Sequence, residues 1–214
     1  MKIVNGWHCP DLLSGAGKYM KRAIEDAPAA ILRCERRRVA IQAGGHVGTW
    51  PVYLSGPFER IYTFEPTSEN FRCLVKNVED HAADPGRIFA ARGALGNKRG
   101  PIDMVLSRKS TGQHRAHAPK NPNIAAVPCY RIDDLNFPVV DALFLDLEGF
   151  ENFALRGAAE TLTRCRPVVM AENNRRAADQ GFKRGDLAEF MATLNYQVVH
   201  AAGEDLIFQH RGEA

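Results

Sequence analysis

A short apolar run that ends in closely spaced glycines is the feature that most constrains the fold of this 214-residue chain. Residues 39–43 (Val-Ala-Ile-Gln-Ala) predict a buried strand, which Gly44 and Gly45 interrupt, and Gly48 precedes a segment that can form a helix. Glycine permits positive φ and close approach of the backbone to a ligand, and a new helix presents free N–H groups. An ordinary tight turn would use the same residues, so this stretch alone leaves both interpretations open.

A second predicted strand, residues 61–64, ends on Glu65 and Pro66. Glu65 follows the glycines by about 20 positions, which is where doubly wound α/β sheets carry a carboxylate that binds ribose hydroxyls. Pro66 ends the strand, and Thr67 can cap a helix over residues 68–83. The alternative is a solvated carboxylate at a strand end. Together the two strands predict a nucleoside-binding α/β unit.

The composition is that of an ordinary globular protein, with 45% hydrophobic and 25% charged residues. A net charge of +3 is too small to indicate nucleic-acid binding by itself, and we find neither a membrane-spanning apolar run nor a signal peptide. Five scattered cysteines without a CxxC pair favour neither a disulfide framework nor a zinc site. We therefore expect a cytoplasmic protein with no metal site, no membrane contact and no nucleic-acid partner. The oligomeric state stays open.

An N-terminal helical extension, residues 1–37, is predicted to precede the ligand-binding domain, residues 38–214. Residues 18–38 have apolar residues at helical spacing, with a break or kink at Pro28. The end of this segment, residues 33–38 (Arg-Cys-Glu-Arg-Arg-Arg), is basic. The simplest interpretation is a solvated helix end with cations near the C-terminal dipole. The alternative is a patch for an anionic substrate.

Residues 139–151 form the second informative stretch, an apolar strand followed by acidic residues and a glycine. Asp146 and Glu148 are two positions apart, so both side chains lie on the same side of an extended backbone. Open α/β sheets bind ligands at the carboxyl ends of such central strands. The alternative is that both residues only cap a helix over residues 150–162.

A long polar segment, residues 108–126, carries His114 and His117. Long loops inside compact domains typically bind or cover something, and HxxH in a loop lacks the spacing that aims two rings at one metal ion. The segment therefore predicts a substrate lid or mobile loop. The remaining predicted elements are strands at residues 87–91, 102–107, 127–132 and 166–171, a helix at 185–194, and a terminal hairpin of residues 196–200 and 206–209.

Taken in order, these motifs resemble the FkbM-type family of S-adenosylmethionine-dependent methyltransferases. The similar motifs are Ile41 to Gly48, Phe64-Glu-Pro66, Gly93-Ala-Leu-Gly96, Arg131-Ile-Asp-Asp-Leu135, Asp146-Leu-Glu-Gly-Phe-Glu151, Leu155-Arg-Gly157 and Val169-Met-Ala-Glu172. The resemblance covers roughly residues 38–210. It implies the class I methyltransferase fold, a Rossmann-like doubly wound α/β sheet with a C-terminal antiparallel hairpin strand, and S-adenosyl-L-methionine as cofactor.

The resemblance also assigns roles by position. It implies that Gly44, Gly45, His46 and Gly48 surround the methionine end of the cofactor, that Glu65 holds the ribose hydroxyls, and that Gly93 and Ala94 lie by the adenine. The remaining predicted cofactor-binding residues are Gln42, Thr49, Pro66 and Asp146. Asp146 and Glu148 would face the methyl group and the acceptor.

Two positions depart from the family pattern, which usually has an acidic residue at position 42 and a lysine at position 144. Gln42 can form hydrogen bonds but carries no charge, and Phe144 removes a cation. These departures raise the alternative of a catalytically degenerate domain that binds a partner or nucleic acid through residues 33–38 and 108–120. An NAD-dependent oxidoreductase is a further alternative, but its G-x-G-x-x-G fingerprint does not match Gly44-Gly45-His46-Val47-Gly48.

The predicted activity is transfer of a methyl group to a hydroxyl of a sugar or another small molecule. A carboxylate, Asp146 or Glu148, is predicted to accept the hydroxyl proton, with His114 or His117 as further candidates.

Overall fold

The computed structural model describes residues 2–10, 16–105, 115–116 and 124–212. Its strands are β1 (Lys2–Val4), β2 (Trp7–Cys9), β3 (Val39–Ala43), β4 (Arg60–Glu65), β5 (Ile88–Arg92), β6 (Ala94–Leu95), β7 (Gly100–Val105), β8 (Arg115–Ala116), β9 (Ile124–Tyr130), β10 (Ala142–Leu145), β11 (Val168–Glu172), β12 (Tyr196–Ala202) and β13 (Asp205–His210). Its α-helices are α1 (Ala16–Ile31), α2 (Thr49–Leu54), α3 (Ser68–His81), α4 (Glu151–Arg156), α5 (Ala159–Cys165) and α6 (Asp186–Thr193).

A mixed seven-stranded sheet, in the order β12-β13-β11-β10-β3-β4-β5, forms the centre of the fold. The strands from β11 to β5 run parallel, whereas β13 pairs antiparallel with β11 and forms a hairpin with β12. The predicted doubly wound sheet with a C-terminal antiparallel hairpin strand is therefore confirmed. The strand order reverses between β3 and β10, and open α/β sheets bind ligands in the crevice at such a switch point.

Helices cover both faces of this sheet because side chains alternate along each strand. Ala40 of β3 belongs to a buried cluster that includes Trp50 of α2 and Leu74 of α3, and α1 packs onto the same face. The next residue, Ile41, faces the other way and packs with residues of α4, α5 and α6, among them Leu155. Burial of these two apolar clusters stabilises the three-layer arrangement.

A smaller sheet, in the order β6-β9-β7-β8, lies beside the carboxyl edge of the large one. Its strands β7 and β9 are antiparallel, and β6 pairs parallel with β9. Met104 and Cys129 pack with Phe150 into a separate apolar cluster. The sequence predicts strands near these positions but not their separation into a second sheet.

Two helices differ from their predicted bounds. α1 continues through Pro28 and ends at Ile31, so the basic run follows the helix instead of forming its last turns. The helix predicted over residues 150–162 is two helices, α4 and α5, which are separated at Gly157. A β-carbon at Gly157 would overlap the carbonyl oxygen of Gly96, so only glycine allows this close contact.

The chain before α1 contains a β-hairpin for which the sequence gives no pattern. Trp7 of this hairpin stacks on His81 of α3, with ring centroids 4.1 Å apart. Asn77 Nδ2 donates to the carbonyl oxygens of His8 and Val47, at 2.8 and 2.7 Å. The hairpin is thereby held against α3 and the glycine turn. Across the described part of the chain, no helix is long and apolar enough to cross a membrane.

Candidate functional site

A cleft opens at the carboxyl ends of β3, β4 and β10, where the strand order of the large sheet reverses. It is lined by Ala43, Gly44, His46, Thr49, Trp50, Phe64, Glu65, Pro66, Asn70, Gly93, Ala94, Leu95, Met104, Asp146, Leu147, Glu148 and Phe150. The enclosed space is about 70 Å³, whereas small-molecule sites span roughly 300–1,000 Å³. A ligand of nucleoside size therefore has to extend into the open mouth of the cleft or displace side chains that line it.

The glycine turn after β3 forms the floor of the cleft. The amides of Gly44 and Gly45 both donate to the carbonyl oxygen of Phe64, at 3.1 and 3.0 Å, which ties the turn to the end of β4. Gly44 has φ +83°, and a β-carbon there would overlap the carbonyl oxygen of Asp146. Gly48 precedes α2 with φ 95° and lies against the backbone of Leu74. Any side chain at position 44 would be forced against the loop after β10, so this turn requires glycine.

Glu65 is the anchor of the β4 side of the cleft, and it is only 4% exposed. Its Oε2 accepts from the His46 amide at 2.8 Å, and its Oε1 accepts from the Thr67 amide at 3.0 Å and the Thr67 hydroxyl at 2.7 Å. Asn70 Nδ2 also donates to Oε1, at 3.3 Å. Burial raises the pKa of the Glu65 carboxyl, while these donors favour its charged form. The carboxyl is thus held in one orientation by both walls of the cleft.

Thr67 has the position of an N-cap residue at the start of α3, as predicted, but its hydroxyl does not cap a helix amide. The hydroxyl donates to Glu65 instead. The Thr67 hydroxyl therefore orients the Glu65 carboxyl and leaves the N-terminus of α3 without a side-chain cap.

Gly93 and Ala94 lie on the far side of Glu65, at the start of β6. The Gly93 amide donates to the main-chain oxygen of Glu65 at 3.2 Å. A β-carbon at Gly93 would collide with the ring of Tyr130 and would come within 3.0 Å of the Pro128 carbonyl oxygen. Apolar side chains complete this end of the cleft, which is therefore suited to a flat apolar group such as a nucleobase.

Asp146 and Glu148 both line the cleft, but the backbone between them is not extended as predicted. β10 ends at Leu145, and Glu148 has φ 55°, in the left-handed region. Glu148 Oε2 forms an ion pair with Arg176 Nη1. The loop after β10 packs tightly on the Arg176 main chain. Gly149, at φ 100°, lies so close to it that a β-carbon would not fit. Glu148 is therefore joined to the segment after β11.

Glu151, which the sequence analysis does not assign to the site, holds this loop in place. The Leu147 amide donates to Glu151 Oε1 at 2.6 Å, and the Gly149 amide also donates to the carboxyl group. Glu151 is 2% exposed. Burial raises its pKa to about 8, opposed by the backbone hydrogen bonds and reinforced by the charge of Asp146.

Most residues predicted to bind the cofactor line one cleft. These are Gly44, His46, Thr49, Glu65, Pro66, Gly93, Ala94 and Asp146. Gly45 and Gly48 do not line it but pack against Leu74, so they shape the turn from behind. The predicted catalytic residue His114 lies outside the described residues, as does His117.

Gln42, which is predicted to lie beside the cofactor, does not line the cleft itself. It is 1% exposed, and its Oε1 accepts from the Thr63 hydroxyl at 2.5 Å. It borders a smaller neighbouring cavity together with Phe144 and Asp146. The reason is strand alternation: position 42 faces the α1 side of the sheet, whereas Ala43 and the turn that follows it line the cleft. Phe144, at 2% exposure, packs there against Trp50.

Several lining residues were not found from the sequence. Asn70, in the first turn of α3, reaches Glu65 across the strand–helix junction. Met104 and Phe150 come from the small sheet and from the loop before α4. No local pattern marks them, because they meet the cleft only through the packing of elements distant in the chain. Within the part of the chain that is described, no group of three or more His, Cys, Asp or Glu residues could hold a metal ion.

Comparison with known proteins gives this cleft a family context. The family model described as the methyltransferase FkbM domain matches residues 42–198, well over half of the chain. The chain belongs to the FkbM methyltransferase domain family. A search of curated proteins gives no match.

Solved structures support the same fold. The chain is similar to an FkbM methyltransferase from Methylobacillus flagellatus, with a TM-score of 0.58, 18% identity, and coverage of 81% of this chain and 44% of that one. It therefore spans less than half the length of that FkbM protein. It is also similar to a precorrin-6y C5,15-methyltransferase from Geobacter metallireducens, with a TM-score of 0.52, 11% identity, and coverage of 94% and 91%. A third similar structure is magnesium protoporphyrin IX methyltransferase from Synechocystis with bound SAM, with a TM-score of 0.52, 9% identity, and coverage of 91% and 77%.

At these identities the similarities establish the fold, which is that of class I Rossmann-like methyltransferases. The order of predicted motifs and the observed topology agree with it.

Proposed function

We propose that this FkbM domain is an S-adenosylmethionine-dependent methyltransferase that acts on a hydroxyl of a sugar or another small molecule. The observation that supports it most is the buried carboxyl of Glu65, fixed by four hydrogen bonds between the glycine turn and α3 at the switch point of the sheet. A carboxylate at this point of a doubly wound fold binds the ribose of a nucleoside cofactor.

The cleft fits such a cofactor in three respects. Gly44 allows the turn that forms the floor to pack directly on the loop after β10, since a β-carbon there would overlap Asp146. Glu65 Oε2 accepts one hydrogen bond, from the His46 amide, which leaves it able to accept another from a ribose hydroxyl. The pair Gly93 and Ala94 lies beside an apolar wall suited to adenine. His46 and Thr49 would contact the amino-acid end. The narrow enclosed space of the cleft implies that side chains at its mouth shift when the cofactor binds.

The cofactor, when bound, supplies a methyl group on a sulfonium that is already a good leaving group. The protein then has to orient the acceptor hydroxyl, exclude water and take up one proton. Asp146 lines the cleft just after β10 and beside the glycine turn, which is where the methyl group and an acceptor would meet. Glu148 is engaged by Arg176, and protonating it would break that ion pair. We assign the role of base to Asp146 because of its position in the cleft.

A nucleic-acid acceptor is not favoured by the charge of the cleft. Glu65, Asp146 and Glu148 line it, and none of its described lining residues is lysine or arginine. A phosphate backbone requires cations along its path. A hydroxyl on a small or glycan acceptor makes no such demand.

The two departures from the family pattern do not favour a degenerate domain. Gln42 is bonded to Thr63 and Phe144 is packed in the core, and neither lines the cleft. The loss of charge at these positions therefore leaves the lining of the cleft unchanged.

Calorimetric titration of S-adenosylmethionine and S-adenosylhomocysteine into the wild type, Glu65→Gln and Glu79→Gln tests the cofactor site. Glu79 is exposed on α3 and serves as a matched control for the loss of one carboxylate. We expect the wild type and Glu79→Gln to bind equally, and Glu65→Gln to bind at least about tenfold more weakly, because a charge-assisted hydrogen bond is lost. Absence of binding to the wild type would overturn the proposal.

Transfer of a labelled methyl group to a panel of hydroxylated sugars and small molecules tests the reaction. On any acceptor found, Asp146→Asn should lower turnover by about 100-fold or more, the usual contribution of a general base. Glu148→Gln should lower it less. The opposite order would transfer the role of base to Glu148.

A further inference from the structure

One edge of the large sheet ends in an unprotected strand. β5 is the last strand of this sheet and, among the strands that the structure describes, it pairs only with β4. The strand at the opposite edge, β12, has a bulge between Val198 and His200, and bulges hinder the pairing of an edge strand with a further strand. β5 keeps a regular register with β4, contains neither proline nor lysine, and has its one charged residue, Arg92, at its end. It therefore lacks most of the features that protect an exposed sheet edge.

The direction of the main-chain groups along β5 follows from one hydrogen bond. The Gly93 amide donates to the main-chain oxygen of Glu65 on β4. Main-chain groups of a strand point alternately to its two sides, so Ala90 and Arg92, three positions and one position before Gly93, direct theirs away from β4. Within the described residues, no hydrogen bond uses the main-chain N–H or C=O of Ala90 or Arg92. These groups are therefore available to a further strand.

A second copy of β5 can satisfy these groups in an antiparallel arrangement around a two-fold axis at Ala90. The two Ala90 residues would exchange both of their hydrogen bonds. The Arg92 amide of each copy would donate to the outward carbonyl oxygen of Ile88 in the other copy. The Ile88 amide already donates to the Pro85 carbonyl oxygen and needs no further acceptor. The strand is thus complementary to itself along its main chain.

The side chains of β5 agree with this register. Phe89 is 47% exposed and stacks on Tyr62 of β4, with ring centroids 5.1 Å apart. Tyr62 also contacts Phe137, with ring centroids 4.6 Å apart, so the aromatic row continues across this face of the sheet. Pairing around Ala90 would place Phe89 opposite the small side chain of Ala91 and diagonal to its own copy, a separation that aromatic rings can span. The exposed ring would then be buried, which favours association.

The charges of β5 also suit a second copy. In this register Arg92 faces Ile88, so no two like charges lie directly opposite each other. Ile88 belongs to the same buried cluster as Val78, which is in the last turn of α3. The carbonyl groups at the end of a helix favour a nearby cation. Each Arg92 would therefore lie toward the end of α3 in the other copy, where its charge is stabilised.

We propose that β5 pairs antiparallel with β5 of a second copy of this chain and thereby joins the two large sheets into one. Main-chain hydrogen bonds around Ala90 supply the register, and the rings of Phe89 and Tyr62 supply the apolar contact. A two-fold interface of this kind uses the same surface on both copies and closes at a dimer. The paired strand is only five residues long. The interface is therefore at the small end of the size range, and we expect a dissociation constant on the order of 10 μM.

Sedimentation velocity at protein concentrations from about 1 to 200 μM, which bracket the dissociation constants of weak complexes, tests the dimer. Ala90→Pro removes the outward N–H but no hydrogen bond to β4, and edge strands tolerate proline at such a position. Phe89→Glu replaces the exposed ring and brings two like charges together across the axis. Val198→Glu is the matched control, because Val198 is 43% exposed on β12 at the other edge of the sheet. Circular dichroism and urea denaturation establish that each variant is folded.

We expect the wild type and Val198→Glu to form the dimer alike, and both β5 variants to dimerise at least about tenfold more weakly. Phe89→Glu decides the question by itself if Ala90→Pro does not fold, because the half-exposed position 89 accepts a charge without loss of the core. A wild type that stays monomeric over the whole range would overturn the proposal and leave the β5 edge to a strand of another protein. Undiminished dimerisation of the β5 variants would also overturn it, as would an equal loss in Val198→Glu.

Discussion

The main-chain oxygen of Asp146 occupies the space that a β-carbon at position 44 would need. The loops that follow β3 and β10 therefore touch backbone to backbone at the switch point of the sheet. The Asp146 amide strengthens this contact by donating to the Ala43 carbonyl oxygen at 3.1 Å. One glycine thus sets both the geometry of the glycine turn and the position of the proposed catalytic carboxylate.

Gly44→Ala should be far more destabilising than an ordinary glycine substitution. The new methyl group would overlap Asp146, and alanine at φ +83° is itself strained. We expect a loss of roughly 3 kcal/mol or more in the free energy of unfolding, measured by urea denaturation, together with loss of cofactor binding.

Gly181→Ala is the matched control, because Gly181 has φ +85° and nothing lies within 4 Å of a β-carbon there. It should cost about 1–2 kcal/mol, the strain of the left-handed backbone alone. Equal losses of unfolding free energy for Gly44→Ala and Gly181→Ala would show that Asp146 moves away from the new methyl group at no measurable cost in stability.

Glu151→Gln should change how stability depends on pH. The folded-state pKa of Glu151, about 8, exceeds the ordinary value of 4.5, so the folded protein binds the proton more tightly than the unfolded chain. The stabilising contribution of this group is full below the ordinary value and is lost as pH rises through about 8. Glutamine keeps the acceptor oxygen for Leu147 and does not titrate. The variant should therefore gain on the wild type by roughly 4–5 kcal/mol between pH 4 and pH 9.

Urea denaturation of both proteins at several pH values measures this difference. Glu189→Gln, at an exposed position on α6, supplies the baseline for removing a carboxylate. Parallel pH profiles for the wild type and Glu151→Gln would contradict a raised pKa and leave the backbone hydrogen bonds as the dominant influence on the carboxyl.

Local patterns in the sequence were sufficient for the elements that carry the cleft. The apolar run of β3, its terminal glycines and the spacing to Glu65 predicted a nucleoside-binding α/β unit, because strand period and backbone sterics act over a few residues. The place of Gln42 among the cofactor-binding residues came from the resemblance and not from a local pattern. In the structure Gln42 accepts from the Thr63 hydroxyl and borders the cavity beside the cleft, so its contact with the cofactor stays a prediction.

Long-range packing accounts for what could not be predicted. Glu151 resembles an ordinary first-turn carboxylate of a helix until the loop of Leu147 folds back onto it. Arg176 has no motif of its own, and it reaches Glu148 only because β11 lies beside β10. Contacts of this kind depend on register between strands, which is fixed by the assembled sheet and not by neighbouring residues.

The ion pair of Glu148 and Arg176 should contribute a measurable coupling. The Arg176 side chain is 36% exposed, so solvent weakens the pair, and we expect a coupling free energy of about 1 kcal/mol. A double-mutant cycle with Glu148→Gln and Arg176→Gln, followed by urea denaturation, isolates this term. Arg175→Gln, at an exposed neighbouring position, should show no coupling to Glu148→Gln. A coupling that does not shrink in 1 M salt would mean that packing, not charge, joins the two loops.

Restoring the acidic residue that the family usually has at position 42 should harm this protein. Gln42 pairs in register with Phe144, and both are buried. Gln42→Asp would place a carboxylate beside an aromatic ring where the usual lysine is missing, and we expect a loss of about 2–4 kcal/mol at neutral pH. The loss should diminish at acidic pH, because burial raises the pKa of a carboxyl and protonation then removes the charge.

Adding Phe144→Lys should recover part of the loss, since a lysine would pair with the new carboxylate. Denaturation of both single variants and the double variant gives the coupling, for which we expect at least about 1 kcal/mol. Strictly additive effects on stability would mean that the two positions do not interact. Gln42 and Phe144 would then not be a neutral replacement for one charged pair.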